Sequence, residues 1–511
     1  MATVLPPPSK RQKREDAARA RVPIEQPQIP DGLQRIQFRD ADTGKAQGPV
    51  VSVALADLAP KNLSLLLNNL LGNTDPNDRL PYRFYDPLGE GGEFSQEKII
   101  QAYLDGTTTT ELQLDIPCRA EAVFKVKAVT RCSANISGHG DSILTAQFSP
   151  ATSSRLATGS GDKTARIWDC DTGTPKHTLK GHSGWVLAVA WSPDDGMLAT
   201  GSMDNTVRLW DPEKGTPLGG PLKGHTKWIT SISWEPYHSR QPGRPRLASA
   251  SRDYTIRIWD AVGRQTDMTL TGHKGSVTCV RWGGQGHIYS ASHDKTVKVW
   301  DATRGSVVHT LTSHAHWVNH LALSTDFVLR TGYFDYKGRK EVPETVDAKR
   351  RKAQERYDAA VASAGGIERL ATASDDCTMY LWEPAKSTKP LQRMVGHQKQ
   401  VNHVTFSPDG TLIASAGFDN HIKLWSAKDG KFLFTLRGHV GPVYQCCFSG
   451  DSRLLVSASK DTTLKAWDVR TGKLKEDLPG HKDEVFAVDW APDGERVGSG
   501  GQDKMVRVWR N

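Results

Sequence analysis

The side chains best equipped for chemistry come as a trio of histidine, serine and aspartate, met first as His139, Ser160 and Asp162. An imidazole, a hydroxyl and a carboxylate brought together supply a general base, a nucleophile and the acid that orients the base. The trio recurs along the chain. Gly-His pairs stand at 138–139, 181–182, 224–225, 272–273, 396–397, 438–439 and 480–481, and Ser313-His314 keeps the histidine without the glycine. After each comes an aspartate: Asp162, Asp204, Asp253, Asp294, Asp376, Asp419, Asp461 and Asp503. Six residues beyond every aspartate lies a tryptophan: Trp168, Trp210, Trp259, Trp300, Trp382, Trp425, Trp467 and Trp509. A hydrolytic triad sits in one cleft, so a set repeated eight times points to architecture. It predicts a hydrogen-bonded tetrad in each unit, tying a turn to a strand, with His139, Ser160, Asp162 and Trp168 as the first. A serine stands two residues before the aspartate in six units. Gly417 and Gly501 replace it in the sixth and eighth, whose tetrads are expected to be incomplete. No Walker motif, metal-ligand cluster or single triad stands elsewhere, so the chain is expected to be non-catalytic, with no cofactor of its own.

The elements that must carry these residues follow from the spacing. Most tryptophans are 41 to 43 residues apart, room for four short strands and their turns. Stretches such as WVLAVAW, MLATGS and TVRLWD have the matching β character. This is the WD-repeat pattern, in which each unit builds one propeller blade and neighbours stack to bury its faces. Only Arg510 and Asn511 follow Trp509, so the eighth blade lacks an outer strand. The β-rich stretch 122–130, AVFKVKAVT, is expected to supply it and lock the ring. The fold class is therefore mainly β: an eight-bladed WD-repeat β-propeller over 122–511.

Other textures lie outside that pattern. Residues 1–31 read as a basic tail without apolar clustering, in which Lys10, Arg11, Lys13 and Arg14 suit a nuclear-import signal or an RNA contact. Over 32–121, alternating Ile36 and Phe38 mark a strand, and Val51, Val53 and Leu55 a returning one. PKNLSLLLNNLLG then places Leu63, Leu66, Leu67, Leu70 and Leu71 on one helical face, and YRFYD and ELQLDI complete an order β-β-α-β-β. That order predicts an α+β β-grasp, or ubiquitin-like, domain. Trp300 and Trp382 are 82 residues apart, about twice the usual interval. The excess, 332–368, holds a charged helical stretch that is expected to lie outside the blades as a loop, carrying either binding or only solvent.

Bulk properties narrow the class further. A net charge of +9 over 511 residues is a mild bias, compatible with acidic partners such as RNA. Seven cysteines stand scattered without paired spacing, as in a reducing compartment. No apolar run is long enough to span a bilayer, so no membrane partner is expected.

A β-grasp domain ahead of an eight-bladed propeller is an uncommon pairing. Together with LPPPSKRQKR at the start, AVFKVKAVTR at the junction and SHAHWVNHLALSTD in the fifth unit, it closely resembles the Notchless family of ribosome assembly factors, fungal members above all. That resemblance implies a monomeric factor of the nucleus, nucleolus and nucleoplasm, with the propeller anchored on the large-subunit precursor, including its assembly factors and rRNA. It also implies that the β-grasp domain is gripped by the metal-dependent adhesion (MIDAS) domain of midasin, an AAA ATPase that removes assembly factors. The position matching the family's metal-bridging glutamate is Glu111, which would complete the coordination of a Mg²⁺ ion held by the partner. The other reading of the same architecture is a ubiquitin-pathway substrate adaptor, whose β-grasp surface would need an exposed apolar patch. The tail carries its own test. Reversing the charges at Lys10, Arg11, Lys13 and Arg14 is expected to move a fluorescent fusion of the whole chain toward the cytoplasm without changing its melting temperature. A fusion that stays nuclear removes the import role.

Overall fold

Alternation and a proline-started helix build the first of two compact units, residues 1–123; the second runs from 124 to 511. The computed structural model describes residues 33–41, 44–72, 82–87, 113–120, 126–336 and 343–511, with Phe94, Ile99 and Asp105. β1 (Leu33–Asp40) turns Ile36 and Phe38 inward, and β2 (Val51–Ala54) returns antiparallel beside it. α1 (Pro60–Leu70) starts at a proline, whose missing N–H would have no partner in a first turn anyway. It stops before Gly72, whose φ of +81° is a left-handed position open to glycine. Leu63 and Leu67 are buried, and Leu66 and Leu70 pack on the same core. Leu71, expected on that face, falls past the last turn and is exposed. With β3 (Tyr82–Phe84) and β4 (Leu114–Ala120) the sheet order is β2-β1-β4-β3. β1 and β4 run parallel at its centre, as a β-grasp requires.

The second unit is a propeller of eight four-stranded sheets. In each blade the inner strand starts just after the tetrad histidine, as Ile143–Phe148 does after His139, and three further strands step outward to the rim. All eight repeat tryptophans are fully buried. Seams between blades are apolar, so that Ile143, Phe148 and Leu156 of the first blade pack on Ala487, Val506 and Val508 of the eighth.

Closure differs in one respect from the expectation. The outer strand of blade eight is β5 (Arg131–Ile136), paired antiparallel from Arg131↔Arg510 to Ile136↔Val506. It is not 122–130. Residues 122–125 lie outside the described residues, and 126–130 form no strand. Val126, Ala128 and Val129 instead fill the cluster beneath blades seven and eight, where the Val126 N–H donates to Asp451 at 2.9 Å. The physical reason is register. An outer strand must end about two residues before the Gly-His pair, and counting back from Gly138 selects 131–136.

The expectation for the fifth blade fails more widely. Its insertion spans 324–369, between the inner strand Val318–Leu323 and the second strand Leu370–Ser374, and it is part of the core. A short helix α2 (Asp326–Thr331) is followed by α3 (Val346–Ser363), capped by the Thr345 hydroxyl. Tyr357 of α3 is buried with Ala360 against Tyr289 and Leu321. Its ring lies so close to Gly284 that a Cβ there would sit 2.1 Å from it. Arg330 of α2 reaches from blade five to blade eight and grips both carboxylate oxygens of Asp489, at 2.8 and 2.6 Å. Buried Glu368 accepts from Thr325 at 2.6 Å and from Tyr289 and the Gly284 N–H at 3.2 Å. The charged run masked this because only one face of α3 is apolar. Replacing 333–368 by a short Gly-Ser loop is therefore expected to destabilise the propeller, by about 3–5 kcal/mol for the buried tyrosine alone. Urea unfolding measures it; an unchanged midpoint returns the insertion to the surface.

Candidate functional site

Eight tetrads line one face of the ring, where each loop leading into an inner strand meets the turn between the second and third strands. In blade one the His139 Nδ1–H donates to Asp162 at 2.8 Å. The Thr158 hydroxyl donates to His139 Nε2 at 2.8 Å and accepts the Trp168 indole N–H at 2.7 Å. The tetrad hydroxyl is thus Thr158, four residues before the aspartate, and not Ser160. Ser160 serves a separate clamp, donating to the Asp141 carbonyl at 3.0 Å and accepting from the Asp162 N–H at 3.1 Å. The corresponding hydroxyls elsewhere are Thr200, Ser249, Ser290, Thr372, Ser415, Ser457 and Ser499, each 2.7–2.9 Å from its histidine. Blades six and eight are therefore complete, against expectation. Gly417 and Gly501 are required there: a Cβ would stand 2.5 Å from His397 Nδ1 in one and 2.4 Å from the Glu484 carbonyl in the other.

The chemistry of this set is that of a sealed chain. Burial would raise the Asp162 carboxyl, but the hydrogen bonds from His139, Thr164 and the Gly140 N–H hold it well below the ordinary range. Burial pushes the His139 imidazole down, so it stays neutral beside an ionised aspartate. The hydroxyl is fully buried, and its partner Trp168 is fully buried beside it. Nothing can be attacked there. At the ring's centre, inner strands and α2 line a channel of about 380 Å³ that includes His320, His403 and Cys446. His320 donates to the Val404 carbonyl and accepts from Arg281. Burial holds it at about 3, so it too is neutral. Among the described residues no group of three or more histidine, cysteine, aspartate or glutamate side chains could hold a metal.

Comparison with known proteins agrees with this geometry. The model of the WD domain, G-beta repeat, matches residues 130–169, 173–211, 215–260, 264–301, 388–426, 430–468 and 472–510, leaving unmatched 302–387, which hold the first three strands of the fifth blade and its insertion. Ribosome assembly protein 4 of Saccharomyces cerevisiae is 55% identical over 449 residues, 85% of each chain. Its counterpart in Chaetomium thermophilum is 54% identical, again over 85% of each. Protein Notchless of Drosophila melanogaster is 45% identical over 73% of this chain and 74% of its own. The chain belongs to the Notchless family of WD-repeat proteins. Among solved structures, the computationally designed Ika8 protein matches with a TM-score of 0.58 at 25% identity, over 75% of this chain and all of its own.

In this Notchless-family chain the remaining candidate residues fall as follows. Glu111 and the tail residues Lys10, Arg11, Lys13 and Arg14 lie outside the described residues. Asp115, near Glu111 in sequence, is on β4 and held by Arg39 at 2.8 Å. Sequence reasoning missed the loop residues that the tetrads display, three tryptophans among them. A signal for the tetrad hydroxyl was available: serine or threonine stands four residues before all eight aspartates, but serine stands two before only six. Removing that hydroxyl strands a histidine and an indole together. Ser415→Ala in blade six is expected to cost about 1–3 kcal/mol, as much as Thr158→Val in blade one. A silent Ser415→Ala in chemical denaturation would mean that blade six has no working tetrad.

Proposed function

We propose that this protein is a non-catalytic assembly factor for the large ribosomal subunit precursor, working in the nucleus, nucleolus and nucleoplasm. The observation that carries this reading is the identity of more than half, across 85% of both chains, with proteins named ribosome assembly protein 4. The sealed tetrads, whose hydroxyls are buried between a histidine and an indole, support a scaffold. The propeller docks on the pre-ribosome, and the β-grasp domain engages the MIDAS domain of midasin, whose ATP-driven pull removes assembly factors. Glu111 supplies the carboxylate that completes the partner's Mg²⁺ coordination, since Mg²⁺ takes oxygen ligands in near-octahedral geometry and an open position accepts one from outside.

The open face of the β-grasp sheet favours this reading over a ubiquitin-pathway adaptor. Among the described residues, beyond Leu33 at the start of β1 and Pro117 on β4, it presents Arg35, Gln37, Arg39, Ser52, Arg83 and Asp115, a largely polar surface. Asp115 is already engaged by Arg39 and Gln113, so its carboxylate is not free for a metal.

Glu111→Asp keeps the charge and withdraws its oxygens by about 1.5 Å, one carbon–carbon bond. Mg²⁺–oxygen distances are confined to about 2.0–2.1 Å, so a docked interface absorbs that retreat poorly. In the full-length protein this change is expected to weaken binding to the purified midasin adhesion domain at least tenfold, and a chelator to abolish binding. Asp115→Asn is expected to have a much smaller effect. The Glu111→Asp protein should still load on pre-ribosomes but resist removal. Unaltered binding by Glu111→Asp, or binding indifferent to chelator, sinks the role given to this residue.

A further inference from the structure

Fifteen tryptophans occur in the chain. Twelve are buried. The three exposed ones, Trp185, Trp228 and Trp317, are 46%, 38% and 46% exposed, and all occupy one position, three residues after a tetrad histidine. An indole in water is an expensive thing to display three times at one place.

The tetrads hold these rings in place. In each case the tryptophan carbonyl accepts the N–H of the residue just before the tetrad aspartate: Met203 at 2.8 Å, Arg252 at 2.9 Å and Asp375 at 2.9 Å. Cationic and imidazole groups then lie on the aromatic faces. The Arg252 guanidinium is 4.8 Å from the Trp228 ring centre, and Lys227 is 5.2 Å from that of Tyr254. His293 of blade four stacks on Trp317 of blade five, with centroids 4.4 Å apart and planes 16° apart. In blades two to four, the tetrad aspartates are the only acidic residues of these loops and turns, and they are tied to their histidines; blade five adds Asp375, whose carboxylate accepts from Asn319 at 2.6 Å and lies 3.6 Å from His316. Exposed Lys274 and Lys295 add charge there. Across the ring, the corresponding loops of blades eight and one carry Asp483, Glu484 and Asp141. The face is polarised.

We infer that the tetrad face of blades two to five binds single-stranded RNA, with Trp185, Trp228 and Trp317 as stacking platforms and Lys227 and Arg252 meeting the phosphates. An acidic peptide would answer the cations but not the flat indoles. An apolar peptide would cover the indoles and leave the cations desolvated. Unpaired nucleotides use both, stacking bases on rings while their backbone runs past positive charge. The inference rests on the reading of the protein as a pre-ribosome factor and gives that reading a surface and a ligand class.

The test uses the full-length protein and labelled oligouridylate and oligoadenylate of about 12 nucleotides, with an RNA duplex of equal length, at about 50 and 200 mM salt. Single strands are expected to quench tryptophan fluorescence, to bind more tightly than duplex, and to weaken steeply with salt. Trp228→Ala is expected to weaken binding roughly tenfold and the Trp228→Ala, Trp317→Ala double variant roughly a hundredfold. Both should melt like the parent, because these rings lie outside the core. No binding at low salt, equal binding by the double variant, or a preference for duplex overturns the inference. So does a polyglutamate peptide that binds with the same tryptophan dependence, which would make the face a protein dock. Co-sedimentation of the parent with large-subunit precursors is scored alongside. A parent that co-sediments but ignores the oligonucleotides removes this inference and leaves the assembly role standing. A parent that fails to co-sediment removes the assembly role itself.

Discussion

A stack of eight sheets becomes a ring only when its last sheet is completed by a strand from the far end of the array. Here that contact is β5 on Val506–Arg510, and every other blade depends on it. Without it, blade eight presents a bare edge and the stack can unroll from there. The same seam is reinforced on its inner side. Asp489 of blade eight accepts the Phe148 N–H of blade one at 2.8 Å while Arg330 grips it from blade five. Near the rim, Arg510 donates to the Cys170 carbonyl of blade one at 2.8 Å. One aspartate therefore joins the first, fifth and eighth blades, and the insertion acts as a brace across the channel.

The two ends of the ring are consequently unlike. On one, eight sealed tetrads hold the loops in fixed shapes and free the exposed positions beside them to vary, so tryptophan can stand in three blades and serine, glutamine, proline or glutamate in others. On the other, α3 lies against loops of blades three, four and six, through His238, Gly284 and the Asp409 carbonyl. Rigidity on the first end and coverage on the second leave the tetrad end as the surface where side-chain identity carries information.

Much of this was legible because the repeat fixes spacing, and spacing is what a sequence displays. The eight histidine–aspartate–tryptophan sets located every blade, and the proline and glycine around 60–72 bounded α1. Sequence and structure part where local composition and periodicity point to different residues. AVFKVKAVT looks more like a strand than RCSANI, yet the distance back from Gly138 selects the second. Ser160 sits closer to Asp162 than Thr158 does, but side chains alternate, and both 158 and 160 turn inward for different partners. The burial of α3 was hidden because Ala353, Tyr357 and Ala360 make a narrow apolar strip in a run of lysine and arginine. Glu111 has no physical signature in the sequence, since a glutamate after four threonines is an ordinary polar residue in an ordinary polar run.

β5 and its partner strand are separated by about 370 residues of chain. At about 5–20 residues per second of synthesis, β5 leaves the ribosome roughly 20 to 80 s before anything exists for it to pair with. During that interval it is a solitary strand with both hydrogen-bonding edges bare, the condition in which nascent chains stick to one another. Its sequence suits the wait: RCSANI carries one large apolar side chain, Ile136, which is buried only once the ring is shut. The apolar stretch just before it, with Val126, Ala128 and Val129, has the opposite character and would benefit from a chaperone until blades seven and eight arrive to cover it. The last step of folding is thus scheduled by translation, and the seam is the place where a slow or interrupted synthesis would show first.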